Sequence, residues 1–165
     1  MNSEQRMMNY ESRGFTIIEL LVVISLGMII ATGGLAGYMN FSRSQMLVQA
    51  SRGVIADLRL AQSLAENNQK PSGCSTLSKY SFQVLSETSY RIFATCGEKN
   101  PVEYDYKEDS IPAGLSMSGF SQIDFKVLKQ GLSSAGGGYD LTISGFNKER
   151  KINVSQGGVI KLSNE

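Results

Sequence analysis

The feature that most constrains this chain is a long stretch of low polarity near its start. From Phe15 to Gly37 every residue is apolar, small or hydroxylated, with one exception, Glu19. A helix needs about 20 predominantly apolar residues to cross the hydrocarbon core of a bilayer, and this stretch supplies them. A carboxylate near one end of such a segment costs on the order of 2.5–3.5 kcal/mol or more unless it finds a partner. Glu19 is therefore expected to be functional, with its partner still to be identified. Three plainer readings fit less well. A secretory signal peptide has an apolar core of about 7–15 residues closed by an Ala-x-Ala-like site; here the stretch is longer and no such site closes it. A simple single-pass anchor leaves Glu19 unexplained. A core helix of a soluble protein rarely reaches this length without a charge on one face.

The residues around the start of the stretch, Gly14-Phe15-Thr16-Ile17-Ile18-Glu19-Leu20-Leu21, resemble the processing motif of type IV pilins and type II secretion pseudopilins. The resemblance implies that a polar leader, residues 1–14, is cut after Gly14. Phe15 then becomes the N-methylated amino terminus, and Glu19 is used in filament assembly. It also implies the partners: a prepilin peptidase, other pilin or pseudopilin subunits, an inner-membrane assembly platform, and membrane lipid around the span. Arg13 abuts the cut site, and a basic residue beside a span biases that side to the cytoplasm. Because Arg43 follows the span and Glu4 and Glu11 offset the leader, orientation rests mainly on the resemblance. The expected location is the inner membrane, single pass, with the C-terminal domain outside the cytoplasm and assembled into a pilus or pseudopilus.

Beyond the leader and span about 120 residues remain, enough for one small globular domain. The formal net charge is +1, so nothing global points to nucleic acid or an anionic surface. There is no histidine, which removes the commonest general base and metal ligand. No nucleophile–base arrangement is legible without it. No catalytic residue, cofactor or metal site is expected, and the chain reads as no enzyme. Cys74 and Cys96 both lie beyond the span; if the leader stays cytoplasmic, both reach an oxidising compartment and a disulfide is expected. Free thiols or half of a metal site are the alternatives, although two cysteines without histidine make a poor zinc site.

The organisation follows from periodicity. Residues 15–38 are assigned to the transmembrane half of one long helix. Gly33 and Gly37 have the small-x-x-x-small spacing of a helix packing face, or else mark a kink. Over 39–68 the pattern becomes amphipathic, with Leu47, Ala50, Val54, Leu58, Ala61 and Ala65 forming one stripe. Arg43, Arg52, Asp57, Arg59 and Glu66 read as mostly off that stripe. Asn67-Asn68 and Pro71-Ser72-Gly73 stop the helix, which is placed from about Thr16 to Asn67. From residue 69 to 165 the chain reads as a β-rich domain. Tyr80, Phe82 and Val84 alternate with Ser81 and Gln83, and Tyr90, Ile92 and Ala94 alternate less cleanly with Arg91 and Phe93. Glu87-Thr88-Ser89 suggests the hairpin turn between them, which would bring Cys74 and Cys96 close enough to be bridged. Further strands are expected at 102–106, 114–118, 122–128, 139–144, 149–154 and 158–162. Connections this short allow only antiparallel pairing. The fold class is α+β: a long N-terminal helix, transmembrane then amphipathic, packed on a mainly antiparallel β C-terminal domain, pilin-like.

Ile123-Asp124-Phe125, Gly136-Gly137-Gly138, Leu141-Thr142-Ile143, Lys151-Ile152-Asn153-Val154 and Gly157-Gly158-Val159-Ile160-Lys161 are similar to the C-terminal pattern of the GspH/FimT group of minor pseudopilins and minor pilins. The glycine triplet lacks the Lys-Ser/Thr of a phosphate loop and reads as a hairpin turn. Glu98, Glu103, Asp105, Glu108 and Asp109 lack the regular spacing of a calcium site and read as a solvated loop. Lys148, Glu149, Arg150 and Lys151 form a small basic turn. Some minor pilins of this group resemble DNA receptors with basic tails, but this tail ends Lys161-Leu162-Ser163-Asn164-Glu165, so nucleic acid is not an expected partner. The function implied is that of a minor pilin or pseudopilin, a structural subunit assembled through its hydrophobic helix. The alternative is a tip-located adhesin or a DNA-binding minor pilin in DNA uptake. Pilus and secretion pseudopilus are not distinguished by this chain.

Overall fold

The computed structural model describes residues 14–128, 131–132 and 138–163. The expected leader up to Arg13, Gly136-Gly137 and the acidic end of the tail at Glu165 lie outside the described residues. A helix α1, Ile17–Glu66, is followed by strands β1 (Leu77–Val84), β2 (Ser89–Cys96), β3 (Val102–Ser110), β4 (Ser116–Gly119), β5 (Gln122–Lys126), β6 (Tyr139–Gly145), β7 (Lys148–Val154) and β8 (Ile160–Ser163). The fold class is α+β, as the periodicity indicates. The chain divides into two compact units, one ending at Asn40 and one starting at Phe41.

In the first unit Ile17, Leu20, Val23, Leu26, Ile29 and Ile30, spread around the helix, are all exposed. In the second unit the apolar stripe of α1 is buried from Leu47 through Ala50, Val54, Leu58 and Ala61 to Ala65, joined by Leu64. Full burial of a Leu or Val side chain contributes about 1.5–3 kcal/mol, so this stripe is a large share of what holds the helix to the domain. The helix ends where the asparagines predict, by a specific device. Asn68 takes a left-handed backbone with φ 49°; its N–H donates to the carbonyl of Ala65 at 3.1 Å, and that of Gln69 donates to the carbonyl of Leu64 at 3.0 Å. These two bonds satisfy carbonyls the helix would otherwise leave open.

Two four-stranded sheets complete the unit, in the orders β3-β2-β1-β5 and β4-β6-β7-β8. Every pair among the named strands is antiparallel. Tyr80, Phe82, Ile92, Ala94, Ile123 and Phe125 of the first sheet and Met117, Leu141, Ile143, Ile152, Val154 and Ile160 of the second join the helix stripe in one core. Phe82 stacks on Tyr90 at 4.9 Å between ring centres.

Three expectations are corrected. The alternation in β1 and β2 does not leave one face wet: Ser81 and Phe93, paired across the strands, are buried too. Arg91 lies 4.3 Å over the Phe93 ring, and the Ser81 hydroxyl donates to Asp124 Oδ1 at 2.7 Å, so polar side chains roof the outer face of these central strands. The acidic stretch is not a loop through Asp109, because β3 carries Glu103 to Asp109 as an edge strand of the first sheet. Arg91 holds it there through Asp105 at 2.9 Å and Glu103 at 3.0 Å. Asp57 is not off the helix stripe but buried.

Cys74 and Cys96 are joined by a disulfide, with Cα atoms 5.7 Å apart and a sequence separation of 22. It ties the segment after the helix to the end of β2. Replacing both by alanine should lower stability by about 3 kcal/mol or less in the chain-entropy picture, measured by urea unfolding of detergent-solubilised full-length protein, and should leave membrane association of the helix unchanged.

Candidate functional site

The amino-terminal end of α1 is built by local chemistry. Thr16 precedes the first helical residue, and its Oγ1 accepts the N–H of Glu19 at 3.3 Å while its carbonyl accepts the N–H of Leu20 at 3.1 Å. Thr16 thus caps the helix. Thr16-x-x-Glu19 has the spacing of a capping box, a signal present in the sequence that the periodicity argument did not use. A carboxylate in the first turn also faces the positive end of the helix dipole. Glu19 therefore has a local reason for its position, worth a fraction of a kcal/mol to about 1 kcal/mol at an exposed site, well below the cost of placing it in hydrocarbon. Its side chain is exposed, and no partner for the carboxylate occurs among the described residues.

The rest of the stretch is consistent with a lipid surrounding. Membrane interiors penalise unsatisfied polar groups. Here the Ser25 hydroxyl donates to the Val22 carbonyl at 2.9 Å, and that of Thr32 lies 3.0 Å from Ile29 O and 3.1 Å from Met28 O. Both hydroxyls are thus satisfied within the helix. By length and composition α1 is the one helix among the described residues able to cross a membrane, with a mean hydropathy of 2.2 in its most apolar window. Phe15 is 82% exposed, and a Cβ built at Gly14, Gly33 or Gly37 meets nothing within 4 Å. These glycines are not required by packing among the described residues.

In the second unit the structure assembles a polar cluster that sequence reading missed. Asp57 Oδ2 accepts the Tyr90 hydroxyl at 2.7 Å, and Lys107 Nζ donates to Asp57 Oδ1 and Oδ2 at 2.8 and 2.7 Å. Lys107 also pairs with Asp109 at 3.0 Å. Burial, then the bond to Asp57, pushes the Tyr90 phenol well above its usual range. The bond to Asp57 also raises Lys107, and Lys107 with the Ser110 N–H lowers Asp109. The cluster pins α1 to β2 and β3 at one register. A signal for it existed: Asp57 lies three residues after Val54 and four before Ala61, hence on the buried face. On the outer face of the first sheet burial opposes ionisation of Asp124, but hydrogen bonds from Gln122, Lys79 and Ser81 outweigh it and hold the carboxyl below its ordinary range.

Phe15 and Glu19 thus lie together at the exposed start of α1, whereas the cysteines and the acidic and basic stretches belong to the second unit. No grouping of three or more Cys, Asp or Glu suited to a metal ion occurs among the described residues.

Residues 11–35 match a family profile described as the prokaryotic N-terminal methylation motif. Comparison with curated proteins and with solved structures returned no match. The matched residues begin just before Gly14 and end within the apolar stretch, so they cover the capped helix start and Glu19.

Two stability measurements check the cluster. Asp57→Ala should cost about 3 kcal/mol, because it leaves the Tyr90 hydroxyl and the Lys107 ammonium without their shared acceptor. With pH, the lowered Asp124 and Asp109 contribute fully above about pH 4; that contribution is lost as pH falls through their depressed native values. The raised Lys107 contributes below about pH 10.4 and loses it as pH rises through its native value. Asp124→Asn should flatten the acid limb of a denaturation-midpoint profile, and Lys107→Met the alkaline limb.

Proposed function

We propose, from a methylation motif that supports membership of the type IV pilin and pseudopilin superfamily, that this chain is a minor structural subunit of a type IV pilus or type II secretion pseudopilus. The observation that carries this reading is the juxtaposition of Gly14, Phe15 and a solvent-exposed Glu19, without a partner among the described residues, at the start of an apolar helix. Its role is structural rather than catalytic. The leader is removed after Gly14 by a prepilin peptidase, Phe15 is N-methylated, and the helix holds the subunit in the inner membrane with its β domain outside the cytoplasm. Assembly brings other pilin-like subunits to the exposed face of residues 17–40 and engages the inner-membrane platform. The strand-turn-strand pattern of β5 to β8 supports the GspH/FimT subgroup.

Cleavage creates a cation. The new amine at Phe15 is four residues before Glu19 in the chain, just outside the capped start of α1, and attraction between the two strengthens as the local dielectric falls. Pairing Glu19 to the amine of a neighbouring subunit rewards docking and sets axial register, whereas pairing within one subunit does neither. The DNA-binding alternative draws only on the basic turn at Lys148 to Lys151.

Intact-mass analysis of protein from its native membrane should find a chain beginning with N-methyl-Phe15; a mature terminus elsewhere would sink the assignment. Gly14→Val should block processing without altering the fold, since a side chain there meets no neighbour within the described chain. Glu19→Gln should be inserted and cleaved normally yet be depleted severalfold from crosslinks to partner pilins. Incorporation at wild-type levels would overturn the role given to Glu19.

A further inference from the structure

The turn between β6 and β7 sits against the part of α1 that follows the apolar stretch. Lys148 Nζ donates to Ser44 Oγ at 3.0 Å across a sequence separation of 104, and the Arg43 guanidinium carbon lies 5.3 Å from the centre of the Phe146 ring. Chain connectivity bounds where this is. Arg43 is six positions after Gly37, so their Cα atoms are at most about 21 Å apart in any conformation. A hairpin from the far end of the sequence is thereby tethered by the chain within a bounded reach of the end of the apolar stretch.

The charge there is mostly positive, with Glu149 the one carboxylate of the turn itself. The sequence has no carboxylate between Glu19 and Asp57. On β7, Lys148 and Arg150 share the inward face with buried Ile152, whereas Glu149 and Lys151 lie on the other face, 3.4 Å apart. Arg43, Lys148 and Arg150 thus have no carboxylate partner among the described residues. A shallow cavity of about 330 Å³ opens at the turn, lined by Ser144, Gly145, Asn147, Lys148 and Glu149.

The backbone of the turn is strained on behalf of an aromatic. Phe146 and Asn147 have φ of 55° and 60°, the left-handed pair of a two-residue hairpin turn that favours Asn and Gly. Asn147 suits it; a bulky Phe146 does not. Packing keeps the ring in place: it lies beneath Arg43 and against Gly114, where a Cβ would come 2.9 Å from Phe146 Cζ. Phe41 is exposed at the same end of the unit.

We propose that this turn, with Arg43, is a membrane-surface clamp: Arg43, Lys148 and Arg150 bind the phosphates of anionic phospholipids at the leaflet where the span emerges. Phe41 and Phe146 sit at headgroup level, and long basic side chains near the end of a span reach the interface readily. The clamp fixes the β domain against the membrane before assembly extracts the subunit. Lipid is chosen over nucleic acid because the cations are tethered next to the span by the chain itself. The proposal rests on the membrane reading above.

The test uses full-length protein in vesicles of phosphatidylcholine with or without phosphatidylglycerol. A spin label is placed singly through Asn147→Cys, Lys99→Cys or Val23→Cys; the native cysteines are bonded to each other and do not take label. Lys99, in the β2–β3 connection near the disulfide, is the control in the same unit. With a nickel-chelating lipid headgroup, the Asn147 label should relax severalfold faster than the Lys99 label, only in vesicles containing phosphatidylglycerol. Lys148→Glu with Arg150→Glu, or Arg43→Glu alone, should abolish the difference while the urea midpoint shows the fold intact. Equal relaxation at the two sites, or a difference insensitive to phosphatidylglycerol and to charge reversal, overturns the clamp. So does release of the Asn147 label from the bilayer by a short DNA duplex, which would assign the turn to nucleic acid. A Val23 label open to a water-soluble quencher would overturn the membrane reading instead.

Discussion

Burial of a single stripe of α1 is the interaction on which the second unit depends. Each four-stranded sheet has an apolar inner face that would be exposed if the sheet stood alone. Leu47, Val54, Leu58, Ala61 and Ala65 bury against residues of both sheets in one core. The small residues on that stripe let the backbone of the helix approach closely, and the larger ones fill the space between. The edge strands left over are managed by charge. β3 carries Glu103, Asp105, Glu108 and Asp109 along an exposed edge, which discourages pairing with another chain.

The polar cluster at Asp57 adds specificity to that apolar contact. An apolar stripe tolerates sliding by a turn, because leucine and alanine pack acceptably in several places. A buried carboxylate does not: only where Tyr90 and Lys107 converge are its oxygens satisfied. Such a pair adds little net energy over an apolar replacement, since desolvation offsets attraction. What it contributes is a register between the helix and the two strands.

The start of α1 combines two demands on the same residues. Thr16 and Glu19 are what a helix N-terminus calls for in water, where cap and dipole favour them. A helix that enters lipid has the opposite preference for its acid. Local capping stabilises the carboxylate only weakly, so a solvated cap alone does not account for a charge placed inside the apolar stretch. In the proposed reading, the amine freed by processing supplies the missing partner.

Much of this was determined by the sequence alone, and for local reasons. A period of 3.6 with alanine and leucine recurring at steps of three and four defines the helix, and Asn67-Asn68 ends it within a residue of the expected place. A period of two marks the first two strands and turn-rich segments delimit the other six, of which β3 runs on to Ser110 past its expected end; short connections oblige them to pair antiparallel. The amino-terminal motif is contiguous, so it too is readable without a fold. The tertiary structure decided what depends on residues far apart in the chain. Asp57 reads as a solvated charge until Tyr90 and Lys107 are brought to it; Ser81 and Phe93 read as half-exposed until Arg91 and Asp124 roof them. Lys148 reads as part of a generic basic turn until β6 and β7 carry it back to Ser44. Burial and charge pairing are set by neighbours across the chain, and sequence periodicity reports only on neighbours along it.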